Sequence, residues 1–103
     1  MSLAATPTPP YYAVIFTSLL ADEQGYAAMA ERMVALAQQQ PGFLGMESAR
    51  NNVGITVSYW RSLDDIKQWK LHSEHQQAQQ LGRSRWYQQF AVRIAKVERD
   101  YRL

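Results

Sequence analysis

Cysteine is absent from the 103 residues, which excludes a disulfide framework and thiolate chemistry together. Proline is confined to the first ten residues and Pro41, so Met1–Pro10 reads as a flexible or extended arm. That arm lacks a basic stretch followed by a long apolar core. It is therefore not read as a signal peptide, and a cytoplasmic location is the default expectation. No apolar run approaches the roughly 20 residues of a membrane span. Charge of neither sign dominates: the net charge is +2, too small to imply a nucleic-acid or membrane partner. Arg83, Arg85, Arg93, Lys96, Arg99 and Arg102 are basic, but Glu98 and Asp100 interrupt them. There is no Gly-rich phosphate loop, no G-x-S-x-G, no HExxH and no paired-carboxylate signature.

What is present is a globular composition, 47% apolar and 19% charged, at the size of one domain. The organising stretch runs from Pro41-Gly42-Phe43-Leu44-Gly45 to Gly54-Ile55-Thr56-Val57-Ser58-Tyr59-Trp60. Pro41-Gly42 stops a preceding helix, and Asn51, Asn52 and Gly54 allow a short hairpin connection. Strands are expected over 43–50 and 54–61. Tyr11–Leu19 is β-branched and aromatic, and apolar on both faces, so it is expected as a central strand. Tyr26, Met29, Ala30, Met33, Leu36 and Ala37 recur at helical spacing. Asp22 or a near neighbour is the expected cap, with Gly25 pointing to a start just after it. Ser62-Leu63-Asp64-Asp65 resembles a capping box with Asp in the place of Glu. The helix behind it is expected to break around Leu71–Glu74 and to end at Gly82. Arg83–Tyr87 reads as a connector, and 90–101 as a last strand.

The order β-α-β-β-α-β predicts an α+β, ferredoxin-like domain over 11–103, a four-stranded antiparallel sheet with both helices on one face. The bare face, apolar along the central strand, calls for a second copy of the chain, and a homodimer is expected. The same topology serves RNA-binding modules, but Gly54–Tyr59 presents aliphatic and hydroxyl groups rather than stacking aromatics.

The chemistry-bearing cluster is His72-Ser73-Glu74-His75, which holds both histidines of the chain, with Trp60 and Trp69 before it and Trp86 and Tyr87 after it. Its spacing does not converge as metal ligands would, so no metal is expected. His75 shares a stripe with Ala78 and Leu81 and is expected to point inward, as a structural histidine or a pocket base. His72 is expected to be partly exposed. Trp60 closes a strand where the sheet meets a helix cap. Trp69 lies on the inward stripe of its helix. Arg93 stands between Val92 and Ile94, as an interface charge or as the pocket's cation.

Gln40-Pro41-Gly42-Phe43-Leu44-Gly45, Ser58 to Trp69 and the His72–His75 stretch together resemble the antibiotic biosynthesis monooxygenase superfamily of small dimeric α/β-barrel proteins. That superfamily includes cofactor-independent oxygenases of polycyclic phenols, quinol oxygenases and haem-degrading enzymes. The resemblance implies a cavity between sheet and helices in each subunit. Trp69 matches the pocket tryptophan of the haem-degrading branch. His75 falls nearer to that tryptophan than the branch's haem-ligating histidine does, and Val14–Thr17 lack its first-strand asparagine. The expected activity is thus a cofactor-independent monooxygenase of a small phenolic or quinol-type molecule. His75 would be the base, Arg93 would steady the oxyanion, Tyr59 or Tyr87 would donate a hydrogen bond, and Trp60, Trp69, His72 and Trp86 would line the site. The alternative is a non-catalytic dimer that binds a small hydrophobic ligand or haem.

Overall fold

The protein is seen here as a computed structural model that describes residues 3–79 and 86–103. Six elements follow in the expected order: β1 Tyr11–Leu20, α1 Tyr26–Gln38, β2 Phe43–Arg50, β3 Gly54–Trp60, α2 Leu63–Gln79 and β4 Tyr87–Val97. The strands form one antiparallel sheet in the order β2-β3-β1-β4. This is the ferredoxin-like arrangement, with β1 central as its two apolar faces require. Among the described residues no helix is long and apolar enough to cross a membrane.

Alternation along the strands gives the sheet two distinct faces. Val14, Phe16, Ser18, Met46, Ser48, Arg50, Thr56, Ser58, Val92 and Ile94 take one face, which looks toward α1 and α2. Ala13, Ile15, Glu47, Val57, Tyr59 and Arg93 take the other.

Local chemistry sets the ends of the elements. Gly42 has φ 81°, a left-handed conformation that glycine adopts without strain. A Cβ there would collide with the Asp65 carboxylate, so this turn lies directly against the start of α2. The Arg61 amide donates to the Gly42 carbonyl at 2.8 Å and ties the two together. Ser62 Oγ accepts the Asp65 amide at 3.1 Å, the N-cap bond expected from the sequence. It also donates to Asp65 Oδ2 at 2.8 Å, so the Asp65 carboxylate returns to the Ser62 hydroxyl where a capping box would reach the backbone amide. α1 starts at Tyr26, just after Gly25 as expected, but Asp22 is not its cap. The Asp22 carboxylate accepts the Gln24 amide and holds the turn, while left-handed Gly25 occupies the N-cap position.

Two element boundaries need correction. α2 runs unbroken through Leu71–Glu74. The apolar stripe fades there, but residues 63–79 contain neither Pro nor Gly, so the backbone ladder continues where the stripe does not. β4 starts at Tyr87 and stops at Val97, because Val97 pairs with Tyr11, the first residue of β1, and nothing remains for 98–101 to pair with. The expected helix end at Gly82 and Arg83–Arg85 of the connector lie outside the described residues.

The core is aromatic at both ends of β1. Trp60 pairs with Tyr12 and is fully buried, its Nε1 donating to Ser58 Oγ at 2.8 Å. That bond satisfies the indole's one polar atom, so the whole ring stabilises as apolar surface. Trp86 is buried beyond the opposite end of β1. Its Nε1 donates to the Gln24 carbonyl at 2.8 Å, and its own carbonyl accepts the Ala21 amide at 2.7 Å. Trp86 thereby clamps the turn between β1 and α1.

Candidate functional site

Between the helices and the sheet lies a cavity of about 780 Å³. Its floor is Val14 and Phe16 of β1, Thr56 and Ser58 of β3, and Val92 and Ile94 of β4. α1 contributes Tyr26, Met29, Ala30 and Met33, and α2 contributes Ile66, Trp69, Lys70, Ser73 and Glu74. The i, i+3, i+4 spacing of the α2 set explains why these five residues share one wall. A mostly apolar chamber with a few hydroxyls and charges is the usual form of a small-molecule site.

One end of the chamber is an aromatic stack. The Trp60 and Trp69 rings lie nearly parallel with centroids 5.9 Å apart, and Phe43 meets Trp60 edge-on at 5.5 Å. Trp60 is the buried backing and Trp69 the half-buried face that reaches the cavity. The His72 imidazole stands 6.0 Å from the Trp69 ring. His72 is half-buried, and its Nε2 is buried without a hydrogen-bond partner among the described residues.

Near the hairpin the wall is Tyr26, Phe16, Tyr87 and Phe90, joined by ring contacts of 5.4–5.8 Å. Tyr87 reaches this wall through a β-bulge. β4 pairs Gln89 with Leu19 but Tyr87 with Leu20, so an odd-numbered residue arrives on the even-numbered face. Arg50 extends over the same region. It donates to Ser18 Oγ and, at 3.5 Å, to the Ser18 carbonyl, and it lies 5.3 Å above the Tyr26 ring.

Of the residues singled out from the sequence, Trp69 and Tyr87 line the cavity, with Trp60 behind Trp69. His72 borders Trp69, as described above. The others are placed elsewhere. His75 is exposed rather than inward: two consecutive wall residues of α2, Ser73 and Glu74, leave it on another side of the helix. Arg93 is exposed, pairs with Ile15 on the opposite sheet face and lines only a shallow 260 Å³ depression there. Tyr59 shares that opposite face. Trp86 is the clamp at the far end of β1 and does not join the other tryptophans.

Tyr59 belongs to a polar network on the opposite face. Its hydroxyl donates to Glu47 Oε1 at 2.7 Å, and the Ala4 amide donates to Glu47 Oε2 at 2.9 Å. The Ala4 and Tyr59 bonds hold the Glu47 carboxyl below its ordinary range, with Arg102 adding to the effect. Burial and the Glu47 carboxylate push Tyr59 up to about 12. The Tyr11 hydroxyl donates to Asp100 at 2.7 Å, and Arg102 donates to the Ala4 carbonyl at 3.1 Å. Arm and tail are thus knitted together over this end of the sheet.

With Phe16, Tyr26, Lys70 and Glu74, Arg50 is among the cavity residues that sequence reading missed. Its signal was the three-residue connection Asn51–Val53, which sets Arg50 opposite Gly54. Neither histidine lines the cavity, so the residues there do not offer haem an axial imidazole. Among the described residues, no three His, Asp or Glu side chains are grouped to hold a metal ion.

The comparisons with known proteins agree with this architecture. The sequence profile of the antibiotic biosynthesis monooxygenase family matches residues 21–81. An uncharacterised protein of Bacillus subtilis, YqjZ, is 58% identical over 101 residues, covering 95% of this chain and 89% of its own length. Among solved structures, PA3566 from Pseudomonas aeruginosa superposes with a TM-score of 0.68 at 16% identity, covering 92% of this chain and 99% of its own. SnoaB from Streptomyces nogalater, a cofactor-independent oxygenase, does so with a TM-score of 0.67 at 12% identity, covering 92% and 98%. The structural likenesses establish the fold; the profile over most of the chain and the YqjZ identity establish kinship. The chain belongs to the antibiotic biosynthesis monooxygenase family.

Proposed function

We propose that the protein is a cofactor-independent monooxygenase of a planar phenolic or quinol-type molecule held in the cavity between sheet and helices. The observation that carries this reading is the aromatic chamber itself, with Trp69 as a flat, backed surface at one end. Electron-rich phenols react with dioxygen once the hydroxyl proton is removed, so the protein has to supply a shaped, dry pocket and a base. Oxidation of a ring methylene to a carbonyl then balances without a cofactor. One oxygen atom enters the substrate, the other leaves as water with the two methylene hydrogens, and all four electrons come from the substrate.

Imidazole is the side-chain group suited to proton transfer near neutrality. Of the two histidines, His72 stands beside Trp69 with a buried Nε2 that has no hydrogen-bond partner among the described residues, and the base is assigned to it rather than to exposed His75. Trp69 stacks on the substrate ring, and Tyr87 and Tyr26 border it from the hairpin end. The opposite sheet face, with Ile15 and Val57 half-buried and Arg93 exposed, is assigned to a second copy of the chain in a homodimer.

Oxygen uptake with anthrones and quinols as substrates tests the reading. Wild type should consume oxygen, His72→Ala should lose about 10²–10⁴ in turnover, and His75→Ala should keep most of it. Full activity in His72→Ala would remove that residue from the mechanism. A second reading draws on the fact that His72 lies behind Trp69 rather than on the cavity wall. A chamber with no imidazole of its own suits a binder without turnover, and saturable binding with no oxygen consumption would favour it.

A further inference from the structure

We propose that the hairpin end of the cavity is an anion subsite, in which the Arg50 guanidinium binds an acidic oxygen group on an otherwise apolar aromatic ligand. The proposal rests on the cavity being a ligand site. It comes from three residues placed side by side on adjacent strands. Arg50 of β2 pairs with Gly54 of β3, and Gly54 pairs with Ser18 of β1, all on the cavity face. A Cβ at Gly54 would overlap the guanidinium, so the arginine lies flat across the strand through space that only glycine leaves open. Beyond the glycine, buried Ser18 receives it through side chain and carbonyl. The Tyr26 ring packs against it from α1.

Held this way, the group still has donors to spare. A guanidinium carries five N–H groups, and Ser18 takes two of them. Among the described residues no carboxylate forms an ion pair with Arg50. Arg50 is exposed at the mouth of the cleft, where a ligand can reach it, and its fork, held in place by Ser18 and Tyr26, matches a carboxylate or sulfonate. The aromatic walls would take the rest of the ligand. A plain structural strut between β2 and β1 would need the Ser18 contacts, but it would not discriminate between charged and neutral occupants.

Two dyes with the same ring system make the distinction. 8-Anilinonaphthalene-1-sulfonate carries the acidic group, and N-phenyl-1-naphthylamine lacks it. Each is titrated into the full chain, followed by energy transfer from tryptophan, with far-UV circular dichroism to confirm that every variant is folded. Wild type should bind the sulfonate more tightly. Arg50→Met should weaken sulfonate binding by roughly 10–100-fold, the range for a hydrogen-bonded charged group, and leave the neutral dye within about twofold. Gly54→Ala removes no hydrogen-bonding side chain but displaces the guanidinium, and it should show the same selective loss. Equal loss for both dyes in these variants, or no preference in wild type, overturns the subsite while the cavity reading stands. Failure of wild type to bind either dye overturns both.

Discussion

Val14 and Ile15 are neighbours in one strand, yet they look into different kinds of space. Val14 faces an open cleft of about 780 Å³ that α1 and α2 border without filling, with Val92 and Ile94 on its floor still about half exposed. Ile15 faces the side where Glu47, Tyr59, Tyr11, Asp100 and Arg102 join the arm and tail by short hydrogen bonds. Protein interiors are ordinarily close-packed, and apolar volume left open forgoes both dispersion and transfer energy. The two faces therefore differ in kind: short hydrogen bonds tie arm and tail over one end of the Ile15 face, while the Val14 face leaves apolar volume unfilled.

The largest expected effect separates backing from lining. Trp60→Ala should cost about 3–5 kcal/mol in urea unfolding, as removal of a fully buried Trp does. Trp69→Ala, whose ring already borders open space, should cost about 1–2 kcal/mol and act mainly on ligand binding. Equal costs would mean that the chamber closes in solution and that both rings are core. Next comes the face of Ile15. Ile15→Asp should weaken self-association at least about 100-fold, about 2.7 kcal/mol, as read by sedimentation, because it places a charge where a second apolar sheet should pack. A wild type that sediments as a monomer of 11.9 kDa would end the assignment of that face to a second copy.

Smaller effects probe the network on that face. Glu47→Gln should cost about 0.5–1.5 kcal/mol, the range of a net hydrogen bond. Because the folded state holds the Glu47 carboxyl below its ordinary range, its contribution is complete above the unfolded value of 4.5 and fades as pH falls through the lowered folded one. Tyr59 works in the other direction. Its folded value of about 12 exceeds the ordinary 10, so its contribution is intact below pH 10 and declines from 10 to 12. Tyr59→Phe should flatten that alkaline limb in pH-dependent unfolding; an unchanged limb would assign it to other groups.

The fold was legible because its signals are local and agree with one another. Pro41-Gly42, the Ser62–Asp65 cap and the two apolar faces of β1 each act over a few residues. The site was less so. Whether His72 or His75 turns inward depends on the phase of α2, and the stripe used to judge it included residues beyond the point where the inward pattern fades. Arg93 was read from its apolar neighbours, but alternation alone does not say which sheet face the helices cover. Arg50 carries no motif; its role follows from a glycine on one neighbouring strand and a serine on the next, a cross-strand relation that only the register reveals.

The bulge opposite Leu19 and Leu20 has a consequence of another kind. From Gln89 onward β4 keeps one alternation, and before it Tyr87 keeps the opposite one, so the strand carries two reading frames joined at a single extra residue. A change of one residue in strand length would exchange Tyr87 for its neighbour on the chamber wall while Val92 and Ile94 stay in place. Within such a fold the aromatic lining can be rewritten by indels as well as by point substitutions, and two relatives with the same residues in this stretch need not present the same pocket.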